Sequence, residues 1–98
     1  MELSDFDDLR QDSPRLAVWL TRPACGPANA LLPFIEQTFS QDGWRFVEVD
    51  LNDSPEVGGQ LLVFATPTLL LFVDGQEKQR LSRIFTRDAV VQARERLS

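Results

Sequence analysis

Apolar and polar residues alternate along the first half of the chain in patterns that predict two strands and two helices. Residues 16–20 form a continuous apolar run of strand length, typical of a strand covered on both faces. Residues 44–50 alternate apolar and polar side chains, which predicts a second strand. Ser4, followed by acidic residues, predicts a capped start of a short first helix. A second helix is predicted between the strands, with one apolar face formed by Ala28, Leu31, Leu32, Ile35 and Phe39.

The second half of the chain predicts a helix, a hairpin and a final helix. The stretch 52–55 has the residues of a helix start, and residues 68–73 form a second buried strand. Asp74-Gly75 predicts a two-residue turn into residues 76–82, and Thr86 predicts the cap of the last helix. The order α-β-α-β-α-β-β-α predicts an α/β fold, with a four-stranded mixed sheet flanked by helices on both faces. We expect residues 1–98 to form one domain.

Composition limits the partners and cofactors that we expect. The 98 residues carry a net charge of −5, which argues against nucleic acid or an anionic membrane as partner. With no histidine and one cysteine, the chain cannot supply the usual ligands of a zinc site, and we expect no metal and no cofactor. The acidic start lacks the features of a signal peptide, and no apolar run approaches about 18 residues. We therefore expect a cytoplasmic protein, where a lone thiol stays reduced.

Three motifs at fixed spacing resemble the thioredoxin family. Cys25-Gly26-Pro27 follows the first strand, and Pro33 lies eight residues after the cysteine. Thr66-Pro67 opens an apolar strand that ends in a glycine turn. The resemblance covers the chain from about residue 16 onward and implies the thioredoxin fold, a nucleophilic Cys25 and a cis Pro67.

Four positions depart from the pattern of that family. Ala28 stands where thioredoxins have the second, resolving cysteine, and Ala24 replaces the tryptophan before the first. Trp19 falls where thioredoxins keep a buried aspartate. Arg83 falls where they have a glycine that lets substrate backbone approach. The resemblance places these changes at the rim of the active site.

The chemistry left to such a site is that of one thiol. A cysteine just ahead of a helix meets free N–H groups and the positive end of the helix dipole, which lower a thiol pKa from about 8.5. Arg22, three residues before Cys25, adds a candidate positive charge. A thiolate can attack a disulfide to give a mixed disulfide. Because Ala28 cannot resolve that bond, turnover requires an external thiol.

The resemblance also implies a substrate groove around Cys25. Thr66 and Pro67 lie beside the cysteine in this fold and can present backbone groups to an extended substrate. Phe64 is a candidate docking residue, with packing as the alternative interpretation. Arg22 and Arg83 form a candidate anion clamp, with ordinary solvated charges as the alternative. The complete candidate substrate-binding set is Arg22, Ala24, Gly26, Pro27, Ala28, Phe64, Ala65, Thr66, Pro67 and Arg83.

Three hypotheses about function stay open on the sequence alone. The chain is a monothiol oxidoreductase that acts on protein or low-molecular-weight disulfides, or a binding module that keeps the fold without turnover. A third alternative is that Ala28 is an engineered replacement of a cysteine in an ordinary dithiol protein. On oxidation, an intermolecular disulfide through Cys25 could also join two chains.

Overall fold

Eight secondary-structure elements follow one another in the predicted order. The computed structural model describes residues 1–23, 26–82 and 85–97, and for residues 26–29 it describes the backbone only. The elements are α1 (Leu3–Asp12), β1 (Arg15–Thr21), α2 (Gly26–Thr38), β2 (Trp44–Asp50), α3 (Pro55–Gln60), β3 (Thr68–Val73), β4 (Gln76–Ser82) and α4 (Arg87–Arg96). The α-β-α-β-α-β-β-α order is therefore confirmed.

The four strands form one mixed sheet in the order β2-β1-β3-β4. β1 runs parallel to β2 and antiparallel to β3, and β4 pairs antiparallel with β3. β1 and β3 occupy the centre, and every residue of these two strands is buried except Arg15 and Val73, which are half-buried. This position explains their continuous apolar sequences, because neither face of the two strands meets water.

Alternate residues of the central strands feed two separate apolar clusters, one on each face of the sheet. Val18 and Leu70 point to the face covered by α1 and α3, where they pack with Phe6 and Val57. On the opposite face, covered by α2 and α4, the cluster contains Ala17, Trp19, Ile35, Leu71 and Val90. The sheet is thus flanked by helices on both faces, as predicted.

Two of the predicted local signals are confirmed and one is wrong. Asp74 and Gly75 have φ of 52° and 81°, which is the backbone of a tight hairpin turn. The Thr86 hydroxyl accepts a hydrogen bond from the Ala89 N–H at 3.1 Å and caps α4. Ser4 is not the cap of α1: the helix begins at Leu3, and the Glu2 carbonyl accepts from the Phe6 N–H at 3.1 Å, so Ser4 lies within the first turn.

Candidate active site

One edge of the sheet gathers the segments that carry the predicted site residues. Thr21, the last residue of β1, is paired with Asp50 at the end of β2. Leu20 is paired with Thr68, the first residue of β3, and Thr68 is paired with Ser82, the last residue of β4. The connections that follow β1 and β2 and the segment that precedes β3 therefore meet at this edge.

The sequence of the cysteine motif, residues 25–27, runs into the first turn of α2. Arg22 is half-buried just beyond the end of β1, and α2 begins at Gly26. Gly26, Pro27 and Ala28 form the first turn of that helix, described here by its backbone. Cys25 and Ala24 lie outside the described residues, as does Arg83. The residue that follows Cys25 in the sequence is thus the first residue of a 13-residue helix.

The segment before β3 presents the other predicted site residues at the same edge. The Thr66–Pro67 peptide bond is cis. Pro67 is buried, whereas Ala65 and Thr66 are half-buried. The Thr68 hydroxyl donates to the Ala65 carbonyl at 2.6 Å and lies 3.4 Å from the Ser82 hydroxyl. These contacts tie residues 65–67 to the first residue of β3.

Trp19 occupies the core rather than the site. Its side chain is fully buried, and its ring meets the Phe85 ring edge to face, with centroids 6.0 Å apart. Trp44 is also buried and packs on Phe39, so both tryptophans are core residues. The buried polar side chains among the described residues are those of Ser13, Thr21, Ser54 and Thr68, which include no carboxylate. The described part of the chain therefore has no buried Asp or Glu side chain that could exchange a proton with the site.

A groove opens beside this edge, and Phe64 stands at its rim. The groove has a volume of about 200 Å³. Among the described residues that line it, Arg22 is the charged one, and the walls come from Leu51, Pro55, Gly58, Gly59 and Val63. Phe64 is 78% exposed, and Leu62 is 66% exposed. The packing alternative for Phe64 is therefore wrong, because the ring faces solvent instead of a core cluster.

Arg80 holds the Leu61–Leu62 backbone in place, a role that sequence reasoning missed. Its guanidinium donates to the Leu61 carbonyl at 2.7 Å and to the Leu62 carbonyl at 3.1 Å. It also forms a two-point ion pair with Glu77, at 2.9 and 2.8 Å. The hydrogen bonds that Arg80 donates to Glu77 raise its pKa further above neutrality, and an arginine side chain already carries its charge in proteins.

A bulge in β4 explains why this ion pair escaped prediction. In a regular strand, residues three apart point to opposite faces. Here Leu71 pairs with Gln79 and Phe72 with Glu77, so Lys78 is the extra residue. The irregularity brings Glu77 and Arg80 to the same face, and nothing in the polar sequence of β4 signals where the bulge falls.

The described part of the chain contains neither a cluster of metal-binding side chains nor a helix that could span a membrane. No group of three or more Asp, Glu, Cys or His side chains there could hold a metal ion. No helix among the described residues is long and apolar enough to cross a membrane.

Comparison with known proteins gives one consistent family. The family model described as Thioredoxin matches residues 2–95. The chain is 34% identical over 67 residues to the thioredoxin-like protein YdfQ of Bacillus subtilis, a match that covers 67% of this chain and 60% of that protein. Among solved structures it is similar to a thioredoxin of Plasmodium falciparum, with 21% identity and a TM-score of 0.86 over 99% of this chain and 95% of the other.

A further solved structure adds a chemical context. It concerns the thiol-resolving mechanism of a yeast mitochondrial 1-Cys peroxiredoxin via glutathione and thioredoxin systems. The chain matches it with 25% identity and a TM-score of 0.85, over 96% of this chain and 89% of the other. Together with the matching sheet and helices, these likenesses confirm the thioredoxin fold that the sequence motifs imply.

Proposed function

This chain belongs to the thioredoxin family, and we propose that it is a thiol–disulfide oxidoreductase that works with one nucleophilic cysteine, Cys25. The observation that supports this proposal is the meeting of two segments at one sheet edge. α2 begins at the residue after Cys25, and Thr66–Pro67 precedes β3 at the same edge. The free N–H groups and the dipole of a helix start favour the thiolate form of a cysteine placed there.

The proposed reaction has two exchange steps. The Cys25 thiolate attacks one sulfur of a substrate disulfide, a bond from Cys25 Sγ to that sulfur forms, and the other sulfur leaves as a thiolate. An external thiol then attacks the mixed disulfide, restores the Cys25 thiolate and becomes a disulfide itself. The external thiol is thus the reductant, because Ala28 offers no second sulfur.

We assign the substrate contacts to the residues that surround Cys25 along the chain and at the sheet edge. The backbone of Thr66 is proposed to pair with an extended substrate, as in strand addition. We propose the cytoplasm as its location, since a reducing compartment keeps a lone thiol reduced. We also propose residues 1–98 as one domain, because both apolar clusters pack against one sheet. The proposed contact set is Arg22, Ala24, Gly26, Pro27, Ala28, Phe64, Ala65, Thr66, Pro67 and Arg83.

One observation favours a second candidate, a binding module without turnover. Trp19 fills the core at the position where the family keeps a buried aspartate, and no described carboxylate is buried. Proton transfer in the resolving step would then depend on solvent or on the external thiol. A module of this kind would still bind partners through the exposed Phe64.

Two measurements on the same protein test the proposal. The rate of Cys25 alkylation by iodoacetamide against pH gives the thiol pKa, which we expect below about 8.5. Reduction of a protein–glutathione mixed disulfide, followed with added glutathione, measures turnover. A Cys25→Ser variant is the control for both. An ordinary thiol pKa together with no turnover above that control would exclude the oxidoreductase and leave the binding module.

A further inference from the structure

We infer that the groove beside Phe64 selects the protein partner by charge as well as by apolar contact. It fits an extended segment that places an apolar side chain in the groove and a carboxylate opposite Arg22. This inference rests on the proposed function, because a partner bound through Cys25 would bring its neighbouring residues to this groove.

The shape of the groove suits one side chain. Its volume of about 200 Å³ is below the roughly 300–1,000 Å³ of pockets that hold a drug-sized ligand. A Cβ built on Gly59 would meet no atom within 4 Å, so this wall is open. On Gly58 a Cβ would lie 2.8 Å from Leu51 Cδ2, which places those two residues in direct contact. Gly58 and Leu51 therefore form a closely packed apolar part of the groove wall. Gly59 has no side chain, so the groove is open at that residue.

Hydrogen bonds at both ends hold residues 61–65, the segment that carries Phe64, before any partner binds. Leu62 and Phe64 point outward on either side of the buried Val63. Arg80 binds the carbonyls of Leu61 and Leu62 at one end of this segment, and Thr68 binds the Ala65 carbonyl at the other. A surface fixed in this way loses little conformational entropy on binding, which strengthens the association.

The charge at the groove is opposite to that of the whole chain. The net charge is −5, but among the described lining residues of the groove the charged one is a cation, Arg22. The two ion pairs among the described residues involve Arg80 and Arg94, so no described carboxylate lies within ion-pair distance of Arg22. Charge complementarity therefore favours a partner segment with an Asp or Glu next to its apolar residue.

Capture of matched peptides by Cys25 tests this selection. Three peptides differ only at two positions beside a cysteine, which carry Leu-Glu, Ser-Glu or Leu-Lys, and each cysteine is activated with the same 5-thio-2-nitrobenzoate group. Release of that group at 412 nm reports the rate. At about 20 mM salt we expect the Leu-Glu peptide to react roughly threefold faster than either of the others. The advantage over Leu-Lys should disappear at about 1 M salt, where the Debye length is about 3 Å.

Two variants separate recognition from other effects. Arg22→Glu should reverse the preference between Leu-Glu and Leu-Lys, and Phe64→Ser should abolish the advantage of Leu over Ser. Arg45→Glu changes the net charge equally, but Arg45 is exposed and lies five residues before the end of β2, about 17 Å from the site edge. This control should keep the wild-type preferences.

The possible outcomes distinguish this inference from the proposed function. Equal rates for all three peptides, or a preference that Arg22→Glu leaves unchanged, would overturn the inference even if glutathione-dependent turnover is observed. If turnover is absent but single-step capture still shows the preference, the inference stands and the oxidoreductase proposal fails. A dimer by size exclusion that Phe64→Ser dissociates, with no peptide preference, would assign the groove to a second copy and also overturn the inference.

Discussion

The two ends of β3 are connected in contrasting ways. At the far end, Asp74 and Gly75 make the tight turn into β4 with positive φ, and both residue types tolerate that backbone. The turn is tied to the first helix and its exit, since Arg10 Nε donates to the Gly75 carbonyl at 2.6 Å and the Asp74 N–H donates to the Pro14 carbonyl at 2.9 Å. In the connection that leads into β3 at the candidate site, Leu62 has a positive φ of 56°.

At Leu62 the backbone conformation does not suit the residue type. A left-handed backbone costs an ordinary L-residue about 1–2 kcal/mol, and Leu62 gains nothing from burial because its side chain is mostly exposed. Arg80 supplies the compensating contacts by binding the carbonyl of Leu62 and that of Leu61. Conflicts between residue type and backbone are expected at functional sites. Here the conflict lies next to the groove, whereas the opposite end of β3 has none.

The largest expected effect comes from placing an unsuitable residue type in the turn at Gly75, where φ is positive. Gly75→Val forces a β-branched side chain into φ near 81° and should lower the free energy of unfolding by about 2 kcal/mol, measured by urea denaturation. Because the turn lies at the opposite end of the sheet, Cys25 alkylation rates should not change. Gln76→Val, a strand position with an exposed side chain, is the matched control and should be close to neutral. Slower alkylation in Gly75→Val would show that the two ends are coupled.

A smaller effect is expected from removing the hydrogen bonds that Arg80 donates to the Leu61 and Leu62 carbonyls. Arg80→Ala leaves the Leu61 and Leu62 carbonyls to water and should cost about 1 kcal/mol. Amide hydrogen exchange should increase in residues 61–66 more than in the turn at 74–75. Lys78→Ala is the control, since Lys78 is exposed and its only described hydrogen bond is with Gln76. An equal loss in both variants, or unchanged exchange in residues 61–66, would contradict the role given to Arg80.

The sequence predicts features that depend on neighbouring residues better than features that join distant segments. The strands of the sheet and the Asp74-Gly75 turn follow from periodicity and turn chemistry, which act within a few residues. The groove does not, because it joins Arg22, Leu51 and Phe64 from three separate connections. Arg80 was missed for a related reason: a bulge at Lys78 puts it on the same face as Glu77. Ser4 was mistaken for a cap because Glu2 begins α1 with no side-chain hydrogen bond.

The smallest expected effect is that of Leu62→Asn, which should raise the stability of the protein and slow its binding of peptide. Leu62→Asn places at φ of 56° a residue that tolerates the left-handed region, and should raise the free energy of unfolding by about 0.5 kcal/mol. It also removes an exposed apolar side chain next to Val63, which lines the groove, so capture of the Leu-Glu peptide should slow. Leu62→Ala removes the same side chain without relieving the backbone. It should slow capture equally and leave stability within about 0.5 kcal/mol of wild type. If the Asn variant gains no stability over the Ala variant, the backbone of Leu62 carries no strain, and the contrast between the two ends of β3 reduces to side-chain exposure.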